Sequence, residues 1–199
     1  MSYNIRNGIG IDNIQDIGRI ARVILREAPD LVALQELDSA TLRVDGRYIP
    51  GELGRMTGMH ATFGRAIGFA GGSYGIGLLS RTEPLAVRSI PLPGREEARV
   101  LLMAEFPDYT VCITHLSLTP EDRLASLPII REATDTCRKP VLLAGDFNTG
   151  NAAAVLAGLG GGFRILSDTT RMTFPSDNPA VRIDYILGLS LIHISEPTR

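Results

Sequence analysis

The chain has 199 residues, 44% of them hydrophobic, which suits one domain with a sizeable core. A net charge of −2 and a pI of about 5.9 give no global pull toward nucleic acid, whose binders usually carry a basic stripe. No run of about 18 apolar residues is present and no apolar leader opens the sequence, so neither a membrane span nor a signal peptide is expected and the location is expected to be cytoplasmic.

In chain order, residues 2–7 read as a first strand. Residues 12–28 carry Ile14, Ile17, Ile20, Ala21, Ile24 and Leu25 at helical spacing, and Pro29 halts them. A strand follows at 31–36, then a short helix at 48–58 whose start is blurred by Pro50 and Gly51. Strands at 61–64 and 75–80 flank a glycine-rich loop, and further strands fall at 85–90, 100–106 and 110–115. The last two, split by Pro107-Asp108-Tyr109, predict a hairpin. Residues 119–137 predict a helix with Thr119 as N-cap, Pro120 at its first position and Glu121-Asp122 in its first turn. A strand at 141–145, a small-residue helix at 152–159 and strands at 163–166 and 183–187 complete the order. Many strands with few helices predict an α/β (α+β) fold, with two sheets packed face to face and helices outside. Cys112 and Cys137 match no zinc spacing and are expected to be reduced thiols.

The ends of these strands are chemically unusual. Val141-Leu-Leu-Ala-Gly-Asp-Phe-Asn148 runs from buried-strand residues into an acid and an amide two positions apart. Glu36 and His115 end two other apolar runs, Asn4 lies in the first strand, and Asp184 opens the last. Sheets collect their ligands at strand ends, so these endings predict one shared polar rim. Asp146 and Asn148, two apart on an extended chain, would point to the same side; the competing reading is a turn-forming Asp-x-Asn. Taken alone, Glu36 reads as a surface acid, Asn4 as a strand-edge amide and His115 as a packed ring. Gly71-Gly-Ser-Tyr-Gly75 fits the G-x-S-x-G pattern, but a strand-like run rather than a helix follows it, so it reads as a loop.

Tyr3-Asn4-Ile5, Leu34-Gln35-Glu36, Gly77-Leu-Leu-Ser-Arg81, Thr114-His115-Leu116, Gly145-Asp-Phe-Asn148 and Arg182-Ile-Asp-Tyr185 occur in that order. Together, over residues 1–187, they resemble the endonuclease/exonuclease/phosphatase superfamily of DNase I-like metal-dependent phosphoesterases. The resemblance implies a four-layer α-β-β-α sandwich of two mixed sheets. It implies that Glu36 and Asn4 belong to a site for Mg²⁺ or Mn²⁺, as oxygen ligands would favour. Asp146 would activate the attacking water, Asn148 support the pentacoordinate phosphorus and His115 contact the scissile phosphate. Asp184 would orient a catalytic imidazole. Arg81, Arg99 and Arg182 are apt for phosphate, but none is singled out.

The expected activity is hydrolysis of a phosphoester by activated water, on a small diester or monoester or a lipid head group. A DNA endonuclease or exonuclease and a non-catalytic phosphate-binding domain are the alternatives. Nucleic acid is a possible but unfavoured partner. The sequence departs from the family at its end, where a strand bearing Ser-Asp-His is expected. Residues 191–199 instead resemble the translated read-through of a sequencing-library adapter. Residues 1–189 are therefore expected to form the domain, incomplete at its C-terminus with its last strand missing, and 190–199 a non-native tail. His193 is not expected to replace the missing His, the start is expected to be clipped, and this copy is expected to be impaired.

Overall fold

A computed structural model describes residues 1–190 of the chain. Its elements are β1 (Ser2–Asn4), α1 (Ile17–Glu27), β2 (Leu31–Ser39), α2 (Ile49–Thr57), β3 (His60–Phe69), β4 (Gly72–Ser80), β5 (Ala86–Leu92), β6 (Arg99–Glu105), β7 (Thr110–His115), α3 (Pro120–Asp135), β8 (Val141–Asp146), α4 (Ala152–Leu159), β9 (Phe163–Ile165) and β10 (Asp184–Leu189). Among the described residues the strands form a four-stranded sheet, order β1-β2-β4-β3, and a six-stranded sheet, order β5-β6-β7-β8-β10-β9. Both are mixed: β1–β2 and β7–β8 run parallel, and the other pairs antiparallel. The further strand, the tail at 191–199 and His193 lie outside the described residues.

The period-2 alternation of strand side chains sorts the core into three layers. Ala33, Ile76 and Leu78 of the smaller sheet meet Val100, Leu102, Ala104, Val111, Ile113 and Ala144 of the larger between the sheets. The alternate residues Val32, Leu34 and Leu79 face α1 and α2. On the other side Leu101, Met103, Cys112 and Leu143 face α3 and α4. This is the α-β-β-α sandwich expected from the sequence.

Several boundaries differ from the sequence reading. Asp12 caps its own turn by accepting from the Ile14 amide at 3.0 Å, so α1 starts later, with Asp16 accepting from the Arg19 amide at 2.8 Å. Ile14 and Leu25 are consequently exposed, at 58% and 53%. Thr119 does occupy the α3 N-cap, but its side chain caps nothing and its hydroxyl donates to Glu96 at 3.2 Å. The expected glycine-rich loop between 64 and 75 is a long hairpin, β3–β4. Positive φ at Ala70 (44°) and Gly71 (80°) makes its two-residue turn of the tight, primed kind that matches strand twist. Ser73 thus lies within β4, with no helix after it, and forms no nucleophile elbow.

Candidate active site

Strand register places the first three groups. His115 pairs with Asp146 across the parallel β7–β8 ladder, and Asp184 pairs with Asp146 across antiparallel β8–β10. Register partners project to the same face. The alternation that turns Ile113 and Ala144 inward therefore turns His115 and Asp146 toward the smaller sheet as well. The ladder is tight here: a Cβ on Gly145 would fall 2.0 Å from the Thr114 carbonyl oxygen, so only glycine lets β8 approach β7 just before Asp146.

The smaller sheet supplies Asn4 and Glu36. Sequence placed Glu36 at a strand end, but β2 continues to Ser39. One extra residue enters β2 between Leu34 and Leu37, and Glu36 has φ 56°, a left-handed conformation rare outside glycine. This bulge turns the side chain out of the ladder. The Asn4 amide nitrogen donates to Glu36 Oε1 at 2.8 Å and to Asp146 Oδ2 at 3.3 Å, joining the two sheets.

Asn148 is not extended; its φ is 51°. Its backbone N–H donates to Asp146 Oδ1 at 2.9 Å and its side-chain amide donates to the Leu116 carbonyl at 2.8 Å. The Asp-x-Asn turn therefore forms, and the strand-alternation argument for this pair fails. The turn nonetheless leaves Asn148 on the rim, fixed to the residue after His115. All six candidates thus gather at one end of the sandwich: Asn4 and Glu36 from one sheet, His115, Asp146, Asn148 and Asp184 from the other.

The electrostatics follow from burial. The Asp146 carboxyl is pushed up to about 7, by desolvation first and by the Asp184 charge next, against the hydrogen bonds from Asn148 and Asn4. Burial also raises the Asp184 carboxyl. The His115 ring is pushed down to about 3 by desolvation and then by the Arg99 charge. Its Nε2 lies 3.9 Å from Asp146 Oδ2; with a neutral ring at pH 7 this contact is not an ion pair.

A wall of charged and phenolic groups stands beside Glu36, and sequence reasoning did not foresee it. Tyr74, 8% exposed, has its ionisation suppressed by burial, then by Glu36 and Glu97. Arg99, 7% exposed, reaches Glu96 at 3.3 Å and Glu97 at 3.2 Å. Glu96 also accepts from the Ser117 hydroxyl at 2.8 Å and the Leu118 amide at 2.7 Å. These bonds outweigh its desolvation and hold its carboxyl down to about 2. Arg43 forks onto fully buried Asp38 at 2.6 and 3.1 Å and reaches Asn7 at 2.9 Å. The available signal was an arginine opening the apolar run Arg99–Ala104, the mirror of His115 closing one.

Glu36 and Asp146 present carboxylate oxygens to the gap between the sheets. Asn4, expected beside Glu36 in the metal site, instead turns its NH₂ to both acids and accepts from the Arg6 N–H through Oδ1 at 3.1 Å, so it orients the carboxylates. Among the described residues no Lys or Arg is ion-paired to Glu36, Asp146 or Asp184. Excess negative charge with hard donors suits Mg²⁺ or Mn²⁺. Among the described residues no three His, Cys, Asp or Glu side chains converge closely enough to enclose a metal. A cavity of about 520 Å³, lined by Arg88, Glu105, Thr110 and Lys139, lies at the opposite ends of β6 and β7 and has no part in this rim.

The sequence profile of the Endonuclease/Exonuclease/phosphatase family matches residues 1–188. The chain belongs to this family. The endonuclease/exonuclease/phosphatase family groups phosphoester hydrolases that are generally dependent on a divalent metal. No curated protein matches the sequence. Among solved structures, the chain is similar to an endonuclease/exonuclease/phosphatase from Beutenbergia cavernae, with 24% identity and a TM-score of 0.71 over 94% of this chain and 63% of that one. The chain thus spans less than two thirds of that relative. It is also similar to D. rerio TDP2 complexed with single strand DNA product, with 22% identity and a TM-score of 0.68 over 98% and 84% of the two chains. A mannosyl-6-phosphatase of Bacteroides thetaiotaomicron matches at 18% identity and a TM-score of 0.68, over 94% and 84%. Likeness at these identities speaks for the fold. Among the described residues no helix is long and apolar enough to cross a membrane.

Proposed function

We propose that this rim hydrolyses phosphoester bonds by in-line attack of water. The observation that carries the reading is the Asn4 amide, which joins Glu36 to Asp146 across the gap between the sheets. Glu36 would hold Mg²⁺ or Mn²⁺ with Asn4 orienting its carboxylate, and the metal when bound supplies Lewis-acid polarisation of a phosphoryl oxygen. Asp146, with its carboxyl near neutrality, takes the proton of the attacking water. Its hydrogen bond from the Asn148 amide fixes the carboxylate plane. Asn148 supports the pentacoordinate phosphorus, and neutral His115 bonds a phosphate oxygen. Asp184, level with Asp146, is placed to orient the C-terminal imidazole of the family pattern, which this copy is expected to lack.

The substrate we favour is a small phosphodiester or monoester, or a lipid head group. A net charge of −2 supports this over bulk DNA, since DNA binding draws on phosphate neutralisation. A mannosyl-6-phosphatase shares the fold, and so does a protein bound to a DNA product, so a nuclease is the alternative. Specificity would rest on residues 39–46 and on the β3–β4 hairpin that replaces the expected loop.

The unaltered chain is expected to be impaired. The test is therefore hydrolysis of p-nitrophenyl phosphate and bis-p-nitrophenyl phosphate in Mg²⁺ or Mn²⁺ by the chain carrying a relative's Ser-Asp-His strand in place of residues 190–199, and by the same protein with Asp146→Asn. Removing the base is expected to cost ~10²–10⁴ in rate. A restored-chain rate no higher than that of the variant would leave a phosphate-binding role without catalysis. Salt-sensitive affinity for DNA would favour the nuclease.

A further inference from the structure

Strand alternation builds the cavity of about 520 Å³ at the far ends of β6 and β7. Register pairs Arg88 with Met103 and Met103 with Cys112, and it pairs Ala86 with Glu105 and Glu105 with Thr110. Met103 and Cys112 belong to the core under α3, so the whole set turns to that face, away from the smaller sheet that His115 and Asp146 face. Residues 136–139, which follow α3, wall one side. Met103 is buried, at 3% exposure, and gives the cavity an apolar floor flanked by Ala86 and half-buried Cys137. The rim is out of reach. Thr110 and His115 stand at opposite ends of β7, roughly 17 Å apart at the usual rise of a strand, and on opposite faces.

The charge here is one-sided. Arg88, Arg138 and Lys139 line the cavity against a single acid, Glu105, in a chain whose net charge is −2. Lys139 Nζ already holds Glu105 at 2.7 Å, so no acid remains to receive a cationic ligand. Arg88 spends one nitrogen, Nη2, on the Ala133 carbonyl and the Thr136 hydroxyl, both at 3.1 Å. This anchors the guanidinium to the end of α3 and offsets the negative pole of that helix. Among the described residues neither Arg88 nor Arg138 is paired with a carboxylate. We infer that this cavity binds a small organic anion, its apolar body on Met103 and its acidic head group against Arg88 and Arg138. Guanidinium groups fork onto oxyanions, and about 520 Å³ falls within the roughly 300–1,000 Å³ of small-molecule sites. Binding at this end makes no use of the metal or of the phosphoester chemistry of the rim.

The experiment is methyl NMR of the full chain labelled at its methionine methyl groups, titrated with naphthalene-1-sulfonate and, separately, with 1-naphthylmethylammonium. Met103→Leu, a volume-conserving change, assigns the Met103 signal. The sulfonate should shift that signal to saturation and the ammonium should leave it in place, with or without Mg²⁺. Affinity for the sulfonate should fall about tenfold in Arg88→Gln and in Arg138→Gln, the weight of a lost charge-assisted hydrogen bond. Arg138 is exposed, so its variant should keep the fold, which thermal melting checks. Equal shifts by the two probes, or an affinity unchanged in Arg138→Gln, overturn the anion site. No shift at Met103, or a shift that requires Mg²⁺, overturns its location.

Discussion

The Asn4 amide nitrogen lies 3.3 Å from Asp146 Oδ2, a hydrogen bond between β1 in one sheet and the end of β8 in the other. The same nitrogen reaches Glu36 Oε1 at 2.8 Å, so one side chain sets the spacing of two carboxylates on different sheets. Asn4→Ala should remove both bonds and let the acids separate. Divalent-metal affinity is expected to fall about tenfold or more, the weight of a lost orienting partner, measured by calorimetry with Mn²⁺.

The raised pKa of Asp146 makes a stability prediction with a definite sign. Its folded value, about 7, exceeds the ordinary 3.8. Its contribution is therefore fully present below the unfolded value and is lost as pH rises through the folded one. In chelator-treated buffer, Asp146→Asn should melt several degrees above wild type at pH 8, where the charge is buried beside Asp184. At pH 4 the two should converge. Melting curves at both pH values check this.

Arg43 neutralises Asp38, whose side chain is fully buried while that of the arginine is 35% exposed. Arg43→Ala would strand that carboxylate and is expected to destabilise the protein by about 3–5 kcal/mol. Its ties to Asp38 and Asn7 also hold residues 40–47 against the turn after β1. Urea unfolding should therefore report a lower midpoint with an unchanged slope.

Gly145→Ala tests the close approach of β7 and β8. A methyl group 2.0 Å from the Thr114 carbonyl oxygen must force the strands apart next to Asp146. A loss of about 2–3 kcal/mol is expected from such overpacking, and denaturant titration measures it.

Much of this was legible because it is local. The buried runs before His115 and Asp146 end where their strands end, and the α3 start at Pro120 follows from proline's missing N–H. The two packed sheets followed from the number of strands and the few helices, whereas which residues face which layer, Val32 and Leu34 one way and Ala33 the other, is set by the pairing. What escaped depends on pairing between distant segments. The bulge at Glu36 exists only because β2 and β4 are in register on both sides of it, so the sequence reads as a strand end where the strand in fact continues. The β3–β4 hairpin was hidden by its glycines, which suit a loop until Gly75 is seen packed against the Gly64 carbonyl at a distance no Cβ would tolerate. Tyr74 and Glu97 carry no local mark of their position beside Glu36, and although Arg99 opens an apolar run, only the pairing of separate strands brings it to His115.

The central claim is that Glu36, Asn4 and Asp146 form one metal-dependent phosphate site. Calorimetric titration of inorganic phosphate, with and without Mg²⁺ or Mn²⁺, into wild type and Glu36→Gln tests it most directly. Phosphate should bind wild type only when the metal is present, and Glu36→Gln should lose both metal and phosphate binding while keeping its melting cooperativity. Equal metal binding by the two proteins, or phosphate binding that ignores the metal, would contradict the account.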